Sequence, residues 1–134
     1  MKKLLLLIMF LIPFKVFAMS ASSMVAVDLD NDYVYYDVNK DDKRLIASIT
    51  KIMTAIVTIE NIDIDKEITV GEEVLKAYGS AIYINVGEKI TIRDLLYGLI
   101  MRSGNDAAVV LAKNVAGSME GFAHLMNELA SNVG

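Results

Sequence analysis

Ser48 and Lys51 stand three residues apart in the run Ser-Ile-Thr-Lys. On a helix, positions i and i+3 share one face about a turn apart, so this hydroxyl and amine can share a hydrogen bond. A neutral lysine so placed can take the serine proton, which makes a nucleophile without any histidine. If Ser48 opens the helix, the free N–H groups of the first turn also face an oxyanion forming there. A second group, Ser103-Gly104-Asn105, follows later in the chain. A serine hydroxyl there can relay a proton, and an asparagine amide can hold a substrate carbonyl. Each group taken alone has a plain structural counterpart. Ser48 can be a helix cap beside a solvated lysine, and Ser103 to Asn105 can be an ordinary turn between helices.

Composition removes most competing chemistries. The chain has 134 residues, 54% hydrophobic and 22% charged, with a single proline, which fits one globular domain and not a disordered chain. It has no cysteine, which excludes disulfide scaffolds, thiol catalysis and cysteine-ligated zinc. The single histidine, His124, lies among Phe122, Leu125 and Met126 and reads as structural; one histidine argues against both a multi-histidine metal site and a Ser-His-Asp triad. Asp28, Asp30 and Asp32 lack the glycine and distal glutamate of a calcium loop and read as a solvated turn, so no metal ligands are expected. Met24, Met53, Met101 and Met126 read as core fillers, and Tyr33, Tyr35 and Tyr36 as a strand surface. A net charge of −4 argues against nucleic acid as a partner.

The elements that must position these groups follow from patterning. Residues 24–29 (MVAVDL) and 33–37 (YVYYD) are rich in β-branched and aromatic side chains, and Asp30-Asn31-Asp32 between them favours a tight turn, so the pair predicts a β-hairpin. From Ile49, the residues Ile52, Met53, Ile56 and Ile59 recur at helical spacing. Ala55 and Val57 widen the stripe, which predicts a helix buried on several sides with Ser48 at its start. Residues 68–70 and 81–86 read as extended and 72–78 as a short helix. Thr91 and Asp94 form a shortened capping box that opens a helix to about Met101. Asn105 or Asp106 caps a second helix over 107–116; Asp106 can be a helix cap or a neighbour of the site, and the cap is the favoured reading. Gly117 ends that helix, and Ser118 caps a third to about Asn132.

The N-terminus reads MKKLLLLIMFLIPFKVFA. Two lysines, an apolar run from Leu4 to Phe14 and the small or β-branched residues Val16 and Ala18 make the pattern of a cleavable signal peptide over 1–18. The run is shorter than the ~20 residues a spanning helix needs. The expected product is an exported acidic domain over 19–134, located in the cell envelope or outside the cell, with membrane association only through the leader if it stays uncut.

Together, the two groups carry more than either alone. A helix opening on Ser-x-x-Lys, followed by a Ser-x-Asn loop between helices, is the order found in penicillin-binding proteins and serine β-lactamases. Residues 47–55 (ASITKIMTA) and 95–107 (LLYGLIMRSGNDA) closely resemble the corresponding segments of the D-alanyl-D-alanine carboxypeptidases, the low-molecular-mass penicillin-binding proteins of peptidase family S11. Gly104 matches that family where class A β-lactamases usually carry aspartate. Residues 87–96 (GEKITIRDLL) and the hairpin also resemble it, so the likeness covers essentially all of 23–134.

The resemblance implies an α/β (α+β) architecture: the N-terminal part of the β-lactamase/penicillin-binding transpeptidase-like fold, with a hairpin, a helical cluster and an incomplete sheet. It also implies roles. Ser48 is the acyl-ester nucleophile, Lys51 the general base, Ser103 a proton relay and Asn105 a substrate holder. The substrate implied is a peptidoglycan stem peptide ending in D-Ala-D-Ala, β-lactams are the implied inhibitors, and no cofactor is called for. One departure is large: the family's third motif, Lys-Thr-Gly, occurs nowhere in the chain. The expectation is therefore an N-terminal fragment with little activity of its own, an open hairpin edge and apolar helix surface left uncovered. A class A β-lactamase-like fragment and a non-catalytic exported module are the alternatives.

Overall fold

The computed structural model of the chain describes residues 20–133, so the segment read as a signal peptide lies outside the described residues. The chain divides after Arg44 into two compact units.

In the first unit, β1 (Met24–Val27) pairs antiparallel with β2 (Val34–Val38). Met24 faces Val38 and Val25 faces Asp37, and a bulge interrupts the register between Ala26 and Val27. β1 begins as read but stops two residues short, and β2 is shifted by one residue, because Asp28 gathers the turn around itself. Its carboxylate accepts from the Asp30 backbone N–H (2.9 Å), the Asn31 amide (3.2 Å) and the Tyr35 hydroxyl (3.1 Å). Asn31 in turn accepts from the Tyr33 N–H at 2.9 Å. Those bonds favour the ionised form, so Asp28 titrates below the usual carboxylate range; the Asp30 N–H contributes most, then the Tyr35 hydroxyl.

The second unit begins with a single 3-10 turn, Ala47–Ile49, that feeds α1 (Thr50–Asn61). A two-stranded antiparallel sheet follows, β3 (Glu67–Thr69) with β4 (Lys89–Thr91), and Ile68 faces Ile90. Between these strands lies a 3-10 turn, Glu72–Lys76. Three helices complete the unit: α2 (Ile92–Arg102), α3 (Asn105–Ala116) and α4 (Met119–Val133).

Local chemistry sets the helix ends. Thr91 accepts the Asp94 N–H at 3.0 Å, as a capping box requires. The Asp94 carboxylate, one methylene shorter than glutamate, accepts a hydrogen bond from the Thr91 hydroxyl at 2.6 Å. Gly117 closes α3 in the left-handed conformation at φ 76°, a region that costs glycine nothing. Ser118 accepts the Gly121 N–H at 3.0 Å and caps α4.

The core forms where α2 and α3 meet the small sheet. Ile68, Val70, Val74, Ile84, Ile92, Leu95, Leu99, Ala107, Val110 and Leu111 make one buried cluster. Val57 of α1, Ala112 of α3 and Phe122 of α4 make a second, flanked by Met53, Leu125 and Met126.

Helix α1 departs from the reading of burial on several sides. Its buried residues are Thr54, Val57 and Thr58, while Ile52, Ile56 and Ile59 are 57%, 42% and 56% exposed. The threonines can be buried because their hydroxyls donate to carbonyls one turn back, Thr58 to Thr54 O at 2.8 Å and Thr54 to Thr50 O at 3.3 Å. The uncovered isoleucine flank agrees with the expectation of apolar surface left on this helix. Residues 81–86, read as extended, join no strand ladder; the Ile82 and Ile84 N–H groups go to a side chain of α3 and that of Asn85 to Glu88.

Candidate active site

Lys51 lies in the first turn of α1, half-buried, and its Nζ donates to Oδ1 of Asn105 at 2.7 Å, a bond across 54 residues of sequence. The Ser-x-x-Lys and Ser-x-Asn groups thus meet in space. Asn105 opens α3 and is fixed on three sides. Its Nδ2 donates to Tyr78 O at 2.7 Å, its backbone N–H donates to Ser80 O at 2.7 Å, and its Oδ1 receives the lysine. The chain at Gly79 passes so close that a β-carbon there would sit 3.0 Å from Asn105 Nδ2, and its φ of +90° also favours glycine.

Ser103 terminates α2 in the left-handed region, φ 55° and ψ 36°. Its Oγ is buried and, among the described residues, has no hydrogen-bond partner. An unpaired buried hydroxyl costs stability. Ser48 sits in the 3-10 turn before α1 and is exposed. Ala47 immediately before it has φ 50°, which turns the chain sharply into the helix. None of the hydrogen bonds among the described residues joins Ser48 to Lys51; the lysine is turned to Asn105 instead. Ser48 also does not cap α1, whose N-cap position is Ile49, with no side-chain cap.

Asp106 is not the helix cap favoured from sequence. Gly104 occupies the N-cap position of α3 without a side-chain bond, and Asp106 is a buried carboxylate that gathers backbone N–H groups from residues 82 and 84. It was traceable in one respect: an aspartate four residues before buried Val110 lies on the inward stripe of α3, where a charge needs a partner. The carbonyls of Tyr78 and Ser80, which hold Asn105, left no side-chain signal to read. His124 is exposed on α4 and lies 3.5 Å from Glu128, away from these groups in sequence and in bonding. Among the described residues, no cluster of three potential metal-ligating His, Cys, Asp or Glu side chains occurs.

A small cavity of about 270 Å³, bounded by Lys76, Ala77, Tyr78, Asn105, Ala108 and Val109, adjoins Asn105. A larger cleft of about 530 Å³ lies between the Glu72–Lys76 turn and the α3–α4 junction, and includes none of Ser48, Lys51, Ser103 or Asn105. The hydrogen bonds, rather than cavity size, therefore mark the site.

Comparison with known proteins identifies the family and the fold. The D-alanyl-D-alanine carboxypeptidase family, peptidase S11, matches residues 13–134. The D-alanyl-D-alanine carboxypeptidase DacF of Bacillus subtilis is 34% identical over 122 residues, spanning 87% of this chain and 31% of its own length. DacC of Escherichia coli is 34% identical over 128 residues, spanning 87% of this chain and 32% of its own length. The chain thus spans about a third of these curated relatives. Among solved structures, DacD from Francisella tularensis aligns with a TM-score of 0.79 at 34% identity, covering 91% of this chain and 30% of that one. Penicillin binding protein 5 from Haemophilus influenzae aligns at 0.80 and 26% identity, covering 91% of this chain and 38% of that one. The mixed α/β fold is that of the N-terminal part of these proteins, and the chain belongs to the D-alanyl-D-alanine carboxypeptidase family.

Proposed function

We propose that these residues form the nucleophile and general-base half of a serine D-Ala-D-Ala carboxypeptidase acting on peptidoglycan stem peptides. The observation that carries the reading is the 2.7 Å bond from Lys51 to Asn105, which joins the two catalytic groups across the α1–α3 contact. In this reading Ser48 Oγ attacks the carbonyl between the last two D-Ala residues as Lys51 Nζ takes its proton. The tetrahedral intermediate collapses to an acyl ester on Ser48 and the terminal D-Ala leaves as a free amine, protonated through the unpaired Ser103 hydroxyl. Water then hydrolyses the ester. Asn105, already fixed at its Nδ2 and backbone, orients the peptide. A β-lactam acylates Ser48 by the same route, its ring C–N bond opening as the ester forms and its nitrogen taking the proton, and no cofactor takes part. Residues 1–18 serve as an export signal, which places the product in the cell envelope; N-terminal sequencing of exported protein beginning near Met19 supports that, and recovery of an intact Met1 in the cytoplasm refutes it.

The chemistry needs more than this half. Losing one oxyanion donor costs about 10²–10³ in rate, and the 134 residues contain no Lys-Thr-Gly. The chain alone is expected to release D-Ala near background. A chimera joining it to the remaining length of the Bacillus subtilis relative is expected to take a covalent label from a fluorescent penicillin, and Ser48→Ala is expected to abolish that label. Labelling that survives Ser48→Ala overturns the assignment of the nucleophile, and brisk D-Ala release by the 134 residues alone overturns the need for the third motif.

A further inference from the structure

Asp106 is 4% exposed and forms no ion pair among the described residues, yet its carboxylate is fully engaged. The Ile82 N–H donates to both oxygens, at 3.1 and 3.0 Å. The Ile84 N–H donates to Oδ2 at 3.2 Å, and the Ala107 N–H to Oδ1 at 2.9 Å. In an extended chain, N–H groups two residues apart lie roughly 6–7 Å apart and cannot share one oxygen. Here Tyr83 between them adopts φ 63°, a left-handed conformation that a tyrosine takes up only when something holds it. The kink folds both donors onto Oδ2. The segment that Asp106 holds is continuous with Tyr78 and Ser80, whose carbonyls hold Asn105.

From this chain of bonds we infer that Asp106 is a positioning residue. It pins residues 82–84, which sets the carbonyls of residues 78 and 80, which aim the Asn105 amide at Lys51. Asp106 touches neither Lys51 nor Ser48 and acts through the loop. The inference rests on the reading of Lys51 and Asn105 as site residues, but its test does not depend on turnover.

Asp106→Asn keeps the shape and replaces one accepting oxygen with an amide that cannot accept. Hydrogen exchange by NMR on the whole chain reads the result. Loss of a buried, charge-assisted bond is expected to speed exchange of the Ile82, Ile84 and Asn105 backbone amides about tenfold or more. The Asn105 side-chain amide and the Lys51 ammonium should lose their protected signals in step, while Leu99 and Val110 stay protected as in the parent. Release of Ile82 and Ile84 with Asn105 and Lys51 unchanged overturns the inference and leaves Asp106 a local structural residue. If the variant loses Leu99 and Val110 protection as well, the parent chain decides. A common opening rate for Ile82, Ile84 and Asn105 supports the inference, and independent exchange of Asn105 overturns it. Failure of the Ser48 chimera to bind penicillin would count against the catalytic reading alone, because the exchange data judge Asp106 separately.

Discussion

In the hairpin of residues 20–44, Val25 is 54% and Tyr35 66% exposed. In the unit of residues 45–133, Ile92, Leu95, Leu99, Val110 and Leu111 are completely buried. The first unit is organised by polar bonds around one aspartate, with Tyr33 and Tyr35 packed edge to face at 5.2 Å. The second is organised by apolar burial, with polar bonds at helix ends, within helices as at Thr58, and around Asn105 and Asp106. Two different sensitivities follow. A core-held unit responds most to lost volume, whereas a turn-held hairpin responds to the charge state of the group that holds it.

The largest expected effect is in the core. Leu99→Ala should lower the stability of the helical unit by about 2–5 kcal/mol, the usual cost of removing a buried leucine side chain. Urea unfolding followed by far-UV circular dichroism measures it, and a loss near zero would mean the α2–α3 contact is not what holds the unit. A smaller effect is expected at a helix end. Ser118→Ala removes the acceptor of the Gly121 N–H and should cost about 0.5–2 kcal/mol, with exchange of that amide rising first. Equal protection in parent and variant would show that the α4 end is held by Phe122 packing alone.

The smallest effect sharpens the contrast from the hairpin side. Asp28 has a folded pKa below its unfolded value, so its contribution is fully present above the unfolded value and is lost as pH falls through the folded one. The hairpin amides of Asp30 and Tyr33 should therefore lose protection in that acid range, while Leu99 does not. Asp28→Asn should remove the pH dependence. Acid loss that persists in Asp28→Asn would place the sensitivity elsewhere in the turn.

Features that close within a few residues were readable before any coordinates. Thr91 with Asp94, Gly117 and Ser118 each act through bonds to near neighbours, and the helices end where those residues put them. The bond from Lys51 to Asn105 was not legible, because helical spacing points the lysine at Ser48 and says nothing of a partner 54 residues away. The cap reading of Asp106 fails because two of its three partners lie 24 and 22 residues away and all are backbone N–H groups, which carry no signature in residue type. The face of α1 was misread for a related reason. Counting isoleucines shows how apolar a helix is, but the neighbours at Val57 choose which side turns inward, and threonines satisfied within their own helix can occupy that side.

Three residues other than glycine in the second unit adopt left-handed backbone conformations at the approaches to the site: Ala47 before Ser48, Tyr83 between the amides held by Asp106, and Ser103 itself. Each costs on the order of 1–2 kcal/mol relative to glycine's free choice. Laboratory evolution toward heat resistance, run with no demand for chemistry, would therefore drift toward glycine at residues 47, 83 and 103. At 103 that drift deletes a hydroxyl, and at 47 and 83 it loosens the bends next to Ser48 and in the loop held by Asp106. Selection on thermal tolerance alone would make a sturdier protein while erasing the proposed site, so any engineering of this chain has to score penicillin labelling of the chimera and robustness in the same round.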